Sequence, residues 1–153
     1  MAAETPTVHA SAVLAGARAV LIRGPAGAGK SQLALALIQA AETGLLRFAR
    51  LIGDDRLHLE VHHGRLLVRP AAALAGLIEV RGLGIRRLDY EPVAVVGLVV
   101  DLAAEDAERM PAASETVLLG VAVRRVAVAA GTAPLPPVLA VLHGAMTEIK
   151  PRS

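Results

Sequence analysis

The chain has no cysteine and no tryptophan, and its 153 residues include one phenylalanine, Phe48, and one tyrosine, Tyr90. Without thiols, disulfides and thiolate metal centres are excluded. So few aromatic rings argue against a reader of single-stranded nucleic acid, which needs flat side chains for bases to stack on. Charge of one sign is scarce too: a net formal charge of +2 makes no basic surface of the kind that holds a nucleic acid. Long apolar runs are missing although 54% of the residues are hydrophobic. Arg, Gly or Asp interrupts each run before the roughly 20 residues that a membrane-spanning helix needs. The opening MAAETPTVHA carries Glu4 and no basic segment ahead of an apolar one, so it does not read as a secretory leader. These absences predict a cytoplasmic protein with neither nucleic acid nor membrane as partner. The length predicts one domain over residues 1–153, large enough to bury most of its apolar surface.

What is present is mostly Ala, Val, Leu and Ile. RAVLI, at 18–22, predicts a short buried strand, and a helix is expected from about Lys30 to Glu42 with Gly44 as its stop. RFARLI, Arg47–Ile52, reads as a second strand leading to the pair Asp54–Asp55. LHLEV (Leu57–Val61) and RLLV (Arg65–Val68) flank HHG and predict a hairpin. AAALAG (Ala71–Gly76) predicts a turn or two of helix, and PVAVVGLVV (Pro92–Val100) a buried strand. TVLLGVAV and RRVAVAAG predict short strands separated by Gly120 and by Arg124–Arg125. PPVLAVLHGAMTEIK predicts a closing helix that tolerates proline in its first turn. Two helices are too few for a doubly wound nucleotide kinase. The expected class is therefore α/β, a P-loop NTPase-like core with a largely mixed or antiparallel sheet and few helices.

Gly24-Pro25-Ala26-Gly27-Ala28-Gly29-Lys30-Ser31 satisfies G-x-x-x-x-G-K-[ST] at every position, with the expected strand before it and helix after it. Glycines let backbone N–H groups point inward at a β-phosphate, and the following helix adds the positive end of its dipole. Lys30 suits the β- and γ-phosphates and Ser31 suits Mg²⁺, so the expected ligands are ATP and Mg²⁺. A P-loop enzyme also needs a carboxylate at the end of a neighbouring strand. Two sites compete for that place: Asp101, ending LVVD, and Asp54–Asp55, ending RLIGDD. GDD also reads as a solvated turn, and Asp101 as a cap for the AAEDAE segment after it. Pattern alone leaves the choice open.

IEVRGLGIRR, Ile78–Arg87, also reads as a strand end and a tight turn. With the other motifs it resembles the signature L-E-[IV]-R-G-L-G-I of the HPr kinase/phosphorylase family, matched here from Glu79 to Ile85 with Ile78 at the leading position. His9 ahead of the P-loop, Asp54–Asp55 after the first helix, and Glu108-Arg109-Met110 after the later strand fall in the family's order, so the resemblance runs from about residue 7 to 145. It implies a serine kinase acting with ATP and Mg²⁺ on an HPr-like phosphocarrier protein of the phosphotransferase system, and a hexameric homo-oligomer. Asp54 is then the group that takes the seryl proton, with His9 beside it and Arg109 on transferring charge. Ser31, Glu79 and Asp55 are the expected metal residues, and Asp101 becomes structural. In reverse, Asp54 would serve as acid while inorganic phosphate attacks phosphoserine and pyrophosphate leaves.

The chain departs from the family pattern in two ways. RRLDYEPVAVV stands where F-G-A-G-A-V often follows the signature. The family's N-terminal regulatory domain has no counterpart ahead of Gly24, which resembles the short, catalytic-domain-only form of α-proteobacteria.

The remaining polar residues carry less. His58, His62 and His63 surround the predicted hairpin and lack a fourth metal ligand, so they read as surface residues, and His143 as a structural one. Arg86–Arg87 and Arg124–Arg125 read as solvated charges. Two other functions fit a P-loop: a small-metabolite or nucleotide kinase, which needs an Arg-rich lid and more helices, and a regulatory module that hydrolyses ATP slowly.

Overall fold

The computed structural model describes residues 6–107 and 114–144. Strands β1 (Thr7–Val8), β2 (Ser11–Ala15) and β3 (Arg18–Arg23) lead through the glycine-rich loop into helix α1 (Lys30–Glu42). Then come β4 (Ala49–Gly53), the hairpin β5 (Leu57–His62) and β6 (Arg65–Pro70), a 3-10 turn at Ala72–Leu74, and a second hairpin, β7 (Leu77–Val80) and β8 (Gly84–Arg87). The long β9 (Ala94–Leu102), the hairpin β10 (Ser114–Leu118) and β11 (Val121–Val128), and helix α2 (Leu135–Leu142) follow.

Nine strands share one sheet along the path β1-β5-β6-β9-β3-β2-β4, with β11 on β9 and β10 on β11, while β7 and β8 form a separate ribbon. The central strands β3, β9 and β11 run parallel, and the outer pairs are antiparallel. The sheet is thus mixed, mainly antiparallel and curled, and the two helices match the expected α/β class. No helix among the described residues is long and apolar enough to cross a membrane.

The period-2 alternation of a strand sends neighbouring side chains to opposite faces, and both faces here are covered. Val20 and Ile22 of β3 join Val13, Leu51, Leu98 and Val100 in a core under α1 and α2. Ala19 and Leu21 join Ala12, Ile52, Val99 and the hairpin residues Leu57, Leu66 and Val68 in a second core on the other side. A register irregularity beside Gly97 sends Val96 to this second core although Leu98 serves the first. Helix α1 buries Leu33, Ala34, Leu37 and Ala40, one stripe at helical spacing.

The expected hairpin and first helix form as read. Strand β4 begins at Ala49 rather than at Arg47, and AAALAG makes only the 3-10 turn. One expectation fails: Arg124–Arg125 does not break the chain, because β11 runs from Val121 to Val128 with Arg125 tucked between two carboxylates. His143, after α2, meets the Leu45 carbonyl at 2.5 Å, a structural contact between the two helical segments. The rest of the expected closing helix, beyond Gly144, lies outside the described residues.

Candidate active site

Strand β3 ends beneath the loop, and Gly29 turns the chain into α1 at φ 100, a left-handed conformation that glycine adopts without steric cost. Ala28 N–H donates to the Pro25 carbonyl at 3.1 Å and closes the loop on itself. Lys30 Nζ folds across it, donating to the Gly24 carbonyl at 2.8 Å and the Pro25 carbonyl at 3.2 Å. No acidic residue occupies the first turn of α1, so nothing local opposes an anion at the helix N-terminus.

The two aspartates after β4 have opposite surroundings. Asp54 is buried, and its carboxylate accepts hydrogen bonds from Ser11 Oγ at 2.6 Å, from Ser31 Oγ at 2.7 and 2.9 Å, and from the Glu79 N–H at 3.3 Å. Both its oxygens thus accept hydrogen bonds, and Ser31 of the P-loop reaches each of them. Asp55 has φ 73, and Arg56 N–H donates to the Asp54 carbonyl at 2.9 Å, which closes a three-residue turn around it. That turn swings the Asp55 carboxylate outward, where its side chain is 68% exposed and stands 3.6 Å from His9 Nδ1. His9 therefore sits beside Asp55, and it lines the same cavity as Asp54. At that distance the contact is electrostatic rather than a hydrogen bond.

Alternation in β7 completes the wall: Ile78 is buried against the α1 core and Val80 packs on its edge, so Glu79 turns the other way. Glu79 and Arg81 line one cavity of about 670 Å³ with His9, Asp55, the P-loop and Ser31. Of the expected residues, His9, Lys30, Ser31, Asp54, Asp55 and Glu79 line this one cavity with Gly24, Ala26, Gly27 and Gly29, whereas Pro25 and Ala28 do not. Arg109 lies outside the described residues. No group of three His, Cys, Asp or Glu side chains able to hold a metal ion occurs among them, at the histidine hairpin or elsewhere. The oxygen donors of Ser31, Asp54 and Glu79 fit Mg²⁺, which takes one or two protein carboxylates and fills its shell with phosphate oxygens and water.

Asp101 lies at the same edge of the sheet, in register with Arg23, and is fully employed there. Arg23 grips it with Nε at 2.7 Å and Nη2 at 2.8 Å, and Arg125 Nε donates at 2.5 Å. Burial by itself raises the Asp101 carboxyl pKa, but the hydrogen bonds and charges of Arg23 and Arg125 outweigh it and hold the group below its ordinary value. Arg125 also forks onto Asp106 at 2.8 and 3.0 Å. The chain Arg23–Asp101–Arg125–Asp106 ties β3, β9 and the segment after β9 to β11, so Arg125 is not a solvated charge, while Asp106 at its end stays exposed. Sequence reasoning passed over Ser11, the second hydroxyl on Asp54. No local pattern marks a serine that opens a buried strand; only its partner 43 positions away gives it meaning.

A family model described as the HPr Serine kinase C-terminal domain matches residues 1–130. Among curated proteins, an HPr kinase/phosphorylase of Streptococcus thermophilus is 39% identical over 84 residues, 54% of this chain and 25% of that one. One of Clostridium tetani is 36% identical over 83 residues, 54% of this chain and 24% of that one. The chain spans about a quarter of the length of these relatives. The solved structure of the HPr(Ser) kinase/phosphatase from Coxiella burnetii superposes with a TM-score of 0.73 at 25% identity, covering 92% of this chain and 95% of that one.

Proposed function

The chain belongs to the HPr serine kinase C-terminal domain family, and from that premise we propose that it transfers the γ-phosphoryl group of ATP to a serine of an HPr-like phosphocarrier protein. One observation carries this reading: a phosphate cradle and a solvent-facing carboxylate open on the same cavity, of about 670 Å³. The loop amides and Lys30 hold the β- and γ-phosphates, and Lys30 exchanges its two loop carbonyls for phosphate oxygens. Ser31, Asp54 and Glu79 hold Mg²⁺, which when bound neutralises phosphate charge.

We assign the two aspartates in the opposite sense from the sequence expectation. Asp55 takes the proton of the seryl hydroxyl, because it is the carboxylate open to an incoming protein. Asp54 serves the metal side through its bonds to Ser31. In the step, the seryl oxygen bonds to the γ-phosphorus, the bond from that phosphorus to the bridging oxygen breaks, and ADP leaves with the electron pair. The seryl proton passes to Asp55. Arg81 lines the same cavity and faces transferring charge, a task that suits its forked guanidinium. Arg109 is assigned the same duty by resemblance alone. The relatives' names include phosphorylase and phosphatase. In phosphorolysis, with inorganic phosphate as nucleophile in place of ADP, the phosphate oxygen bonds to the phosphoserine phosphorus and the bond from that phosphorus to the seryl oxygen breaks. Protonated Asp55 returns the proton to that oxygen, and pyrophosphate leaves.

The proposal includes one domain over residues 1–153, a cytoplasmic location and a homo-hexamer, for which light scattering is the check. The central test incubates the protein with ATP, Mg²⁺ and an HPr-like protein and maps the product by intact mass and phosphosite. A seryl phosphate on the partner supports the reading. Bound ATP with no phosphate transferred to any serine overturns it.

A further inference from the structure

The cavity just described is walled by the charged and polar groups that suit phosphates and an acceptor hydroxyl. A second cavity, of about 330 Å³, lies against the same loop. Its walls are the Pro25–Ala28 stretch, the end of β9 at Leu102 and Ala103, and the Val128–Pro134 segment that joins β11 to α2. Ala26 and Gly27 line both cavities, so the two adjoin along the P-loop. Resting on the kinase reading above, we propose that this second cavity holds the nucleoside of the triphosphate, and that it does so without reading the edge of the base.

Position, shape and chemistry each support this. The strands β3, β9 and β11 are parallel, so the loops that follow them gather at one edge of the sheet. Ligands of α/β sheets bind outside the carboxyl ends of such strands. The outer wall is pre-formed: Thr132 N–H donates to the Ala129 carbonyl at 3.1 Å, and Ala104 N–H staples the chain after β9 to the Val128 carbonyl at 2.9 Å. A volume of about 330 Å³ falls in the range of small-molecule pockets. Among the described residues, the lining holds no charged and no aromatic side chain, and Thr132 supplies its one hydroxyl. Adenine and guanine differ in the donors and acceptors on their edges. A site built to hydrogen-bond one group rejects its absence by about 10⁴-fold or more, whereas apolar walls discriminate weakly. Small apolar walls therefore grip a nucleoside by contact area, and the triphosphate in the cradle supplies most of the specificity.

Titration calorimetry on the full chain tests this with MgATP, MgGTP and Mg-tripolyphosphate, the last carrying phosphates without a nucleoside. Ala130→Phe and Thr132→Phe fill the cavity from exposed positions, so neither disturbs the core, and thermal melts verify folding. Expected results are a loss of ATP affinity of about tenfold or more in these variants, with tripolyphosphate affinity held within about twofold. In the unmodified protein, ATP and GTP should bind within about tenfold of each other. ATP affinity unmoved in both folded variants overturns the proposal, as does a preference between ATP and GTP beyond that range. Failure of tripolyphosphate to bind the unmodified protein removes the phosphate cradle itself, a distinct result that would take the kinase reading with it.

Discussion

At the scale of single residues, the division between Asp54 and Asp55 follows from backbone geometry. The positive-φ turn at Asp55 leaves one carboxylate buried and the other open to solvent. Such a conformation costs about 1–3 kcal/mol in a non-glycine residue and persists where the surroundings over-determine it. Here the bonds from Ser11, Ser31 and the Glu79 amide to Asp54 do so. Asp55→Asn keeps the turn and removes the base, so it should lower transfer to the protein acceptor by about 10²-fold or more with little change in nucleotide affinity. Asp54→Asn should weaken Mg²⁺-dependent nucleotide binding, measured by calorimetry with and without the metal. Transfer that survives in Asp55→Asn and fails only in Asp54→Asn would restore the original assignment.

At the scale of elements, the β4–β5 corner depends on Gly53. A Cβ there would lie 2.5 Å from Leu57 Cδ2 and 3.0 Å from Pro70 Cβ, where the hairpin closes over the sheet. Gly53→Ala should therefore destabilise the fold by about 1–3 kcal/mol in denaturant unfolding, as overpacking does. Leu57→Ala alone should cost about 2–5 kcal/mol by leaving a cavity. The double variant should cost less than the sum, because each change relieves the other. Strict additivity would mean that the corner flexes and that Gly53 is not held by close approach. Turn chemistry made this hairpin legible in the sequence: His63 and Gly64, at φ 51 and 76, form the two-residue left-handed turn that HHG announced. The β7–β8 ribbon was legible only as a turn, since its pairing depends on Ile78 reaching the α1 core.

At the scale of the whole molecule, the Arg23–Asp101–Arg125–Asp106 chain clasps the parallel centre of the sheet below the phosphate loop. The Asp101 carboxyl pKa is lowered in the folded protein, so its stabilising effect is fully present above the unfolded carboxyl value, about 3.9, and is lost as pH falls through the folded value. Exposed Asp106 is lowered too, first through its hydrogen bonds with Arg125. Thermal melts should therefore show a plateau at neutral pH and a decline below about pH 4. Asp101→Asn should lower neutral-pH stability by about 1.5–3 kcal/mol, the range for hydrogen bonds to charged groups, and shrink the acid decline. An unchanged acid limb in that variant would show that other carboxylates carry it.

The sequence by itself determined the elements whose causes are local. Glycine, lysine and serine at P-loop spacing, the Leu and Ala stripe of α1, and the continuous apolar runs of β3 and β9 act within a few residues of each other, so they are written in order along the chain. Lys30 and Ser31 were marked by the P-loop pattern, and His9, Asp54, Asp55 and Glu79 by the family resemblance, and all six line one cavity. Tertiary structure alone decided what those residues do to one another. Ser11 meets Asp54 across 43 positions and Arg23 meets Asp101 across 78. Burial, hydrogen-bond occupancy and charge compensation are properties of such pairs, not of either residue. Adjacent aspartates look interchangeable in one dimension, and the long-range partners of Asp54 are what make them different.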